Sequence, residues 1–247
     1  MQKKIKTVIF GSREVSKICL DILMSEFPEI LIVAYVLHDN TPNLEDEAWI
    51  VDVVEKKKIP IVSRSEVAGL GFDFALSLAY DRLIAPEIIS IAKLGIINIH
   101  LGPLPRFGGH NSLYHAIRES YASEDCKFGF STHYIDDNLD EGQIINVSEV
   151  SITGEDTAYS LYKKTLPTLP ELFVETLKAC LESYPYKIQE VINGSEGARY
   201  YKKNDIQLEI DLSQAPEAIY NHIRALSFPG KPPGHALVAS KKVYLSL

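Results

Sequence analysis

The chain alternates short apolar stretches with helical patterns, and this alternation limits its possible folds more than any other feature. Five stretches rich in β-branched or other apolar residues are predicted to be strands: 4–11, 29–37, 59–62, 72–78 and 96–101. Apolar residues recur at helical spacing between them, at 13–26, 44–57 and 86–93. Strands that alternate with helices predict an α/β fold with a doubly wound, mostly parallel sheet. Ligands of such sheets bind beyond the carboxyl ends of the strands.

Composition sets broad limits on function. The 247 residues are 46% hydrophobic and 23% charged, which is typical of a globular protein. A net charge of −8 argues against general binding to nucleic acid, which usually needs a basic surface. No apolar run is long enough to span a membrane, and the apolar stretch near the N-terminus is too short for a signal peptide. Three widely spaced cysteines among apolar neighbours indicate free thiols in a reducing compartment. We therefore expect a cytoplasmic protein.

The stretch from residue 98 to residue 142 holds the residues best suited to chemistry. Asn98 and His100 lie two residues apart at the end of the fifth predicted strand, so they share one face of it. A loop rich in glycine and proline follows, and a second β-like run at 128–135 leads to a turn that contains Asp140. An amide, an imidazole and a carboxylate at strand ends suit acyl transfer, which needs an oxyanion donor, a proton acceptor and a group that orients it.

These residues carry a family resemblance. Asn98-Ile99-His100, the loop with Leu104-Pro105 and Gly108, and Leu139-Asp140-x-Gly142 resemble the formyltransferases that use N10-formyltetrahydrofolate. The resemblance covers about residues 1–180. It implies that Asn98, His100 and Asp140 are catalytic and that N10-formyltetrahydrofolate is the co-substrate. The sequence departs from the family at Leu101-Gly102, where proline-serine usually follows the histidine, so the wall on the substrate side is expected to differ.

Elementary chemistry assigns roles to this set. A histidine side chain titrates near neutral pH, so His100 can take the proton of the attacking amine. The Asn98 amide can donate a hydrogen bond to the formyl oxygen as negative charge develops on it. Three roles for Asp140 remain open: it orients His100, stabilises the charged imidazole, or relays a proton through water to the folate nitrogen.

The family resemblance also implies a folate site. The loop after the fourth strand would present backbone groups to the pterin ring, and the expected folate-binding residues are Tyr80, Asp81, Arg82, Leu83, Ile84, His133 and Asp136. From the sequence alone, 80–84 is equally an ordinary connecting loop with a solvated Asp-Arg pair. His133 is equally a core histidine bonded to the backbone. The residues alone favour a turn role for Asp136 and Asp137.

A second group of residues is expected to bind the acceptor. The amine would be bordered by Gly102, Phe107, Gly109, His110 and Asn111, and the nucleotide would be held by Arg199, Tyr200, Lys202 and Phe228. The 199–203 cluster combines aromatic rings with positive charges, which suits a base and a phosphate. A solvated strand edge, where lysines prevent aggregation, is the competing interpretation. The stretch 223–229 is similar to one in formyltransferases that act on nucleotide-linked amino sugars.

Two other kinds of site are not expected. His110, His115 and the other histidines of this stretch lack the spacing of metal ligands, so we predict no metal. The first loop, Phe10-Gly11-Ser12-Arg13, lacks the G-x-G-x-x-G spacing of a dinucleotide site. It also lacks the extra glycines found in the relatives that bind glycinamide ribotide.

The predicted organisation is a catalytic domain at 1–183 and a small β-rich tail at 184–247 that forms a homodimer. The predicted activity is formyl transfer to the amine of a nucleotide-linked amino-dideoxy sugar, with dTDP-4-amino-4,6-dideoxyglucose expected, for surface polysaccharide (O-antigen, lipopolysaccharide) synthesis. The alternatives are a formyltransferase acting on methionyl-tRNA, glycinamide ribotide or another amine, a folate hydrolase, and a folate-binding module without catalysis. Neither a nucleic acid nor a membrane is an expected partner.

Overall fold

The computed structural model describes residues 4–37, 44–80, 82–121, 126–136, 139–183 and 197–247, with the backbone alone at 44–49. Its strands are β1 (Ile5–Gly11), β2 (Ile30–Val36), β3 (Phe74–Leu78), β4 (Ile96–Leu101), β5 (Gly108–Gly109), β6 (Lys127–Tyr134), β7 (Ile144–Ser151), β8 (Tyr200–Tyr201), β9 (Gly234–Val238) and β10 (Lys241–Leu245). Its α-helices are α1 (Arg13–Glu26), α2 (Leu44–Lys56), α3 (Pro86–Ile91), α4 (Ser112–Ser120), α5 (Ala158–Thr165), α6 (Leu169–Glu182) and α7 (Pro216–Leu226).

The main sheet has six strands in the order β2-β1-β3-β4-β6-β7. The first four are parallel to one another. The amide of Ile135 donates to the carbonyl of Ile96 at 2.8 Å, which places the end of β6 beside the start of β4, so these two strands run in opposite directions. The amide of Tyr134 donates to the carbonyl of Gln143 at 2.9 Å and closes the reversal between β6 and β7. The predicted doubly wound, mostly parallel sheet is confirmed.

The apolar patterns explain these elements locally. All five residues of β3 are buried, as expected for a strand covered on both faces. Helix α1 buries a stripe at helical spacing that includes Val15, Cys19 and Leu23. A capping box fixes the start of α5. Thr157 accepts a hydrogen bond from the Ser160 amide at 3.1 Å, and the Ser160 hydroxyl accepts one from the Thr157 amide at 2.9 Å.

The chain divides into two compact units, each with its own core. The first contains residues 1–100, 131–146 and 169–193, and the second contains 101–130, 147–168 and 194–247. The core of the first includes Val8, Phe10, Ala75 and Ile96. The domain boundary predicted at residue 184 falls outside the described residues, because 184–196 are not described.

The core of the second unit joins the C-terminal tail to earlier parts of the chain. Ile210, Ala225 and Leu226 of the tail are buried in one cluster with Phe107 and Phe128. The tail is too short to enclose a core alone, and in this unit it packs against earlier residues of the chain. The last two strands, β9 and β10, form a separate antiparallel pair, which agrees with the predicted β-rich tail.

Several element predictions are wrong or incomplete. The stretch 59–62 is not a strand: it makes an isolated bridge between Ile61 and Tyr35, and Pro60, which has no amide hydrogen, offers only its carbonyl. Residues 207–212, which alternate polar and apolar side chains, contribute an isolated bridge between Glu209 and His235. Strand β7 is present although the sequence analysis did not predict it. A 3₁₀ turn at Leu166–Thr168, which contains Pro167, separates α5 from α6.

Within the described ranges, the helices are all too short or too polar to cross a membrane.

Candidate active site

Strand β4 presents the first two site residues on one face. Asn98 and His100 alternate with Ile97 and Ile99, which are buried. In the ladder with β3, the partner of Asn98 is Ser77, itself buried. Both polar side chains therefore stand on a strand that is fixed by neighbours on either side, which makes their positions rigid.

His133 on β6 determines how Asn98 is oriented. Its Nδ1 lies 2.9 Å from the carbonyl oxygen of Tyr134, and a carbonyl only accepts, so Nδ1 carries the hydrogen. In the neutral ring Nε2 is then an acceptor, and Asn98 Nδ2 lies 3.0 Å from it and donates. The amide oxygen of Asn98 is thereby turned away from His133. The amide nitrogen has a second hydrogen, which is the group that an oxyanion needs.

Asp140 lies between two imidazoles. Its Oδ2 is 3.5 Å from Nδ1 of His100, and its Oδ1 is 3.5 Å from Nε2 of His133. The three side chains are nearly enclosed, with exposed fractions of 10% for His100, 8% for Asp140 and 2% for His133. A carboxylate at this distance can balance the positive charge that the His100 imidazole gains when it takes a proton. This arrangement can accept a proton at His100 and stabilise the resulting charge.

The turn that carries Asp140 restricts which residue types can occupy it. Asp140 has a φ of 56°, a left-handed conformation that aspartate tolerates better than most residues. A Cβ at Gly142 would lie 1.7 Å from the carbonyl oxygen of Tyr134, so a side chain at that position would displace the turn. The predicted D-x-G pattern thus has a steric cause. Asp136 is exposed, and Asp137 lies outside the described residues.

The residues of the predicted folate loop differ in their burial. Tyr80 and Ile84 are buried in the first core, with the Tyr80 ring 5.4 Å from that of Phe10. Arg82 is exposed, and Leu83 is 69% exposed. The carbonyl of Leu83 accepts a hydrogen bond from Arg64 at 2.6 Å. Asp81 lies outside the described residues.

The predicted acceptor residues after His100 belong to the second unit. Phe107 is fully buried and Gly102 is buried. Both therefore support the predicted acceptor site and are not part of its open surface. His110 and Asn111 are exposed, and Asn111 Nδ2 donates to the carbonyl of Lys203 at 3.1 Å. Gly109 has a φ of 85°, and a Cβ there would lie 2.2 Å from the carbonyl of Tyr201.

The predicted nucleotide residues of the tail lie in two places. Tyr200 is 45% exposed and Lys202 is exposed. Arg199 is bonded to Glu119, with Nη1 at 2.6 Å from Oε1. The ring of Phe228 packs edge-on against Tyr159, with centroids 5.4 Å apart, and is tilted against Tyr162.

Sequence reasoning missed Glu119. It lies near the end of α4, where the helix dipole disfavours a carboxylate, so a nearby cation was to be expected. Burial by itself raises the pKa of Glu119, but the hydrogen bonds from Tyr201 and Arg106 and the charge of Arg199 outweigh it and hold the pKa below its usual range. The carboxylate therefore stays ionised.

No trio of His, Cys, Asp or Glu side chains in the described part of the chain is arranged to hold a metal ion. The fold and the polar groups at the strand ends define an α/β protein suited to acyl transfer, because a donor, a base and a carboxylate converge without an obvious nucleophile.

Comparison with known proteins identifies the family. The sequence model of the family described as formyl transferase matches residues 51–177, just over half of the chain. The chain belongs to the formyl transferase family.

Curated relatives have similar sequences. The methionyl-tRNA formyltransferase of Fusobacterium nucleatum is 27% identical over 162 residues, which cover 66% of this chain and 50% of the relative. The bifunctional polymyxin resistance protein ArnA of Wigglesworthia glossinidia brevipalpis is 26% identical over 254 residues, covering 97% of this chain and 37% of the relative. The chain thus spans half or less of the length of these two relatives.

Solved structures share the fold over nearly the whole chain. A 4-N formyltransferase from Francisella tularensis has a TM-score of 0.80 at 18% identity, with 98% of this chain and 97% of that chain covered. The N-formyltransferase from Helicobacter canadensis in complex with folinic acid and dTDP-3-aminofucose has a TM-score of 0.77 at 22% identity, with 97% and 86% covered.

Proposed function

We propose that this protein transfers a formyl group from N10-formyltetrahydrofolate to the primary amine of a nucleotide-linked amino-dideoxy sugar. The main observation in support of this proposal is the arrangement of Asn98, His133, Asp140 and His100 at the strand ends. Support for a sugar acceptor comes from the two solved structures above, a 4-N formyltransferase and an N-formyltransferase bound to dTDP-3-aminofucose, which match almost the entire chain.

Each residue has a defined task in this reaction. The second N–H of Asn98 Nδ2 donates to the formyl oxygen as it gains negative charge. His100 takes a proton from the attacking amine, because only the neutral amine is a nucleophile. When the bond between the formyl carbon and N10 of the folate breaks, this proton passes to N10 and tetrahydrofolate leaves. Asp140, 3.5 Å from His100 Nδ1, stabilises the imidazolium that results. His133 holds the Asn98 amide in the donating orientation through its 3.0 Å contact.

The folate would lie at the carboxyl ends of the strands, where these groups converge. Backbone groups of the 80–84 loop, together with His133 and Asp136, are the proposed contacts. The carbonyl of Leu83 is less available to the folate than those of its neighbours, because it already accepts a hydrogen bond from Arg64. The residues proposed near the acceptor are those predicted from the sequence. In the tail cluster Arg199, Tyr200 and Lys202 are exposed, and Arg199 is bonded to Glu119.

Methionyl-tRNA is the second candidate acceptor, because a methionyl-tRNA formyltransferase is among the curated relatives. Against it stands the charge of the chain, with 25 Lys and Arg against 33 Asp and Glu. RNA binding draws most of its affinity from phosphate contacts with a basic surface. A nucleotide diphosphate needs only a few local cations, which this chain can supply.

The acceptor can be tested directly. We expect the highest kcat/KM with dTDP-4-amino-4,6-dideoxyglucose among 3-amino and 4-amino dTDP sugars, GDP-perosamine and methionyl-tRNA. Formylated product would be measured by mass spectrometry and steady-state rates. A competitor with a kcat/KM about tenfold higher, or about 1.4 kcal/mol in transition-state binding, would replace this acceptor but keep the reaction class.

A reaction without acceptor separates the remaining alternatives. We expect N10-formyltetrahydrofolate to bind and to be almost unchanged when no amine is present. Rapid release of formate would indicate a hydrolase. Binding without turnover, with every amine tested, would indicate a folate-binding module.

We further propose a homodimer formed through the C-terminal tail. Apolar residues of the tail such as Ile210 and Leu226 are covered within the second unit. The hairpin β9–β10 nevertheless leaves large apolar side chains exposed: Leu237 50%, Val238 50%, Val243 44% and Tyr244 65%. So many exposed apolar side chains on one hairpin favour association.

Light scattering at tens of micromolar is expected to give the mass of two chains. Replacing Leu237 and Tyr244 by lysine should shift the protein to monomer, while Lys241→Glu, on the same hairpin, should not. A monomeric mass for the unchanged protein would contradict the dimer.

A further inference from the structure

The C-terminal segment 199–203 runs alongside residues 105–111 and bonds to their backbone. Strand β8 pairs in parallel with β5, with Gly108 opposite Tyr200 and Gly109 opposite Tyr201. The amide of Arg199 donates to the carbonyl of Pro105 at 3.0 Å, the amide of Gly108 to that of Arg199 at 3.1 Å, and the amide of His110 to that of Tyr201 at 2.8 Å. We call residues 105–111 the acceptor loop, after the role proposed for them.

A ladder of two residues cannot hold such a segment in place by itself. Glu119 on α4 supplies the anchor. Its Oε1 accepts from Arg199 Nη1 at 2.6 Å and from the hydroxyl of Tyr201. Its Oε2 accepts from Arg106 at 3.0 Å through Nη2 and at 3.3 Å through Nε. One carboxylate therefore binds both partners of the ladder, Arg106 in the acceptor loop and Arg199 and Tyr201 in the tail.

The aromatic rings complete this anchor. The ring of Tyr201 stacks on His115 of α4 at 3.7 Å between centroids. It lies nearly parallel to the buried ring of Phe107, 6.4 Å away. The Arg106 guanidinium lies 5.1 Å from the centroid of Phe107. Tyr201 is thus fixed by packing, which directs its hydroxyl toward Glu119.

We propose that Glu119 is a positioning residue that fixes the acceptor loop through Arg106, Arg199 and Tyr201. We call these contacts of Glu119 the lock. Arg199 belongs to the lock, in place of the direct phosphate contact predicted for it from the sequence. We expect loss of these contacts to weaken acceptor binding, and this expectation rests on the function proposed above. Charge-assisted hydrogen bonds to one half-buried carboxylate are among the stronger local contacts, so their loss should loosen the loop.

Two conservative variants test the lock. Tyr201→Phe removes one hydroxyl and keeps the stacked ring, and Glu119→Gln keeps the size of the side chain but removes its charge. In both, we expect the acceptor KM to rise about tenfold or more, with kcat and the folate KM within about twofold. Glu217→Gln, at an exposed position in the first turn of α7, is the control and should change none of these values.

The sign of the Glu119→Gln effect separates the two roles of Arg199. If Arg106 and Arg199 bound phosphate directly, removing the carboxylate that occupies them would release two guanidinium groups and lower the acceptor KM. If the carboxylate positions the loop, the acceptor KM rises. A lower KM in Glu119→Gln would therefore overturn the proposal.

Amide hydrogen exchange tests the lock without any substrate. In both variants the amides of Gly108, His110 and Arg199 should exchange faster than in the unchanged protein, while the amides of β1 and β3 should not. Unchanged protection at these three amides would overturn the lock. Faster exchange with an unchanged acceptor KM would overturn its link to the acceptor. If the unchanged protein transfers formyl to no amine, the proposed function fails and the acceptor role with it, whereas faster exchange would still establish the lock.

Discussion

Replacing His100 by alanine is expected to lower kcat by about 10²–10⁴-fold, the range for loss of a general base. The residue is placed for this role by β4 and lies 3.5 Å from the carboxylate of Asp140, which can balance its charge after it takes a proton. Steady-state turnover at saturating concentrations of both substrates measures the effect. Near-normal turnover of His100→Ala at neutral pH would show that another group accepts the proton.

The pH profile gives this assignment a second test. A general base works in its unprotonated form, so turnover of the unchanged enzyme should fall as the pH drops and the imidazole becomes protonated. In His100→Ala this acidic limb should disappear. Circular dichroism and folate binding should remain as in the unchanged protein, because β4 keeps its ladder with β3 and loses only one side chain at its end.

The grouping of Asn98, His100 and Asp140 could be predicted because these residues are close in sequence to strongly patterned elements. Asn98 and His100 end an apolar strand, and a strand presents alternate residues on one face. Asp140 precedes a glycine that the structure shows to be required, since a Cβ at Gly142 would meet the Tyr134 carbonyl. Spacing and residue type were enough to bring these positions together.

Other parts of the site depend on contacts that a single sequence does not disclose. Glu119 and Arg199 are 80 residues apart, and nothing local in either segment specifies the other. His133 was predicted as a possible folate contact, but its hydrogen bond to Asn98 depends on β6 lying antiparallel beside β4, and that pairing has no local signal. Such long-range pairs are set by the tertiary fold.

The errors in strand prediction have a similar origin. The 59–62 stretch has β-branched residues, yet Pro60 lacks the amide hydrogen that a ladder requires, and one bridge to Tyr35 remains. Strand β7 has polar residues in its second half, with Glu149 and Ser151 exposed, so its pattern is weaker than that of the buried strands. Its pairing with β6 stabilises it where local preference does not.

Replacing Asn98 by alanine is expected to lower kcat by about 10²–10³-fold, as for loss of an oxyanion donor. His133→Ala should cost less, about tenfold, because the amide remains but is no longer held by the 3.0 Å contact. Stopped-flow or steady-state formyl transfer measures both, with Asn146→Ala on β7 as a matched amide control that should retain full turnover.

The double variant decides whether His133 acts through Asn98. If its main task is to orient that amide, Asn98→Ala combined with His133→Ala should be no slower than Asn98→Ala alone, because the oriented group is already gone. Asn98→Asp adds a further check: it preserves shape but removes both N–H donors, so its turnover should be as low as that of Asn98→Ala. Additive losses in the double variant would mean that His133 contacts the reacting groups independently, and high turnover in Asn98→Asp would remove the amide from the role of oxyanion donor.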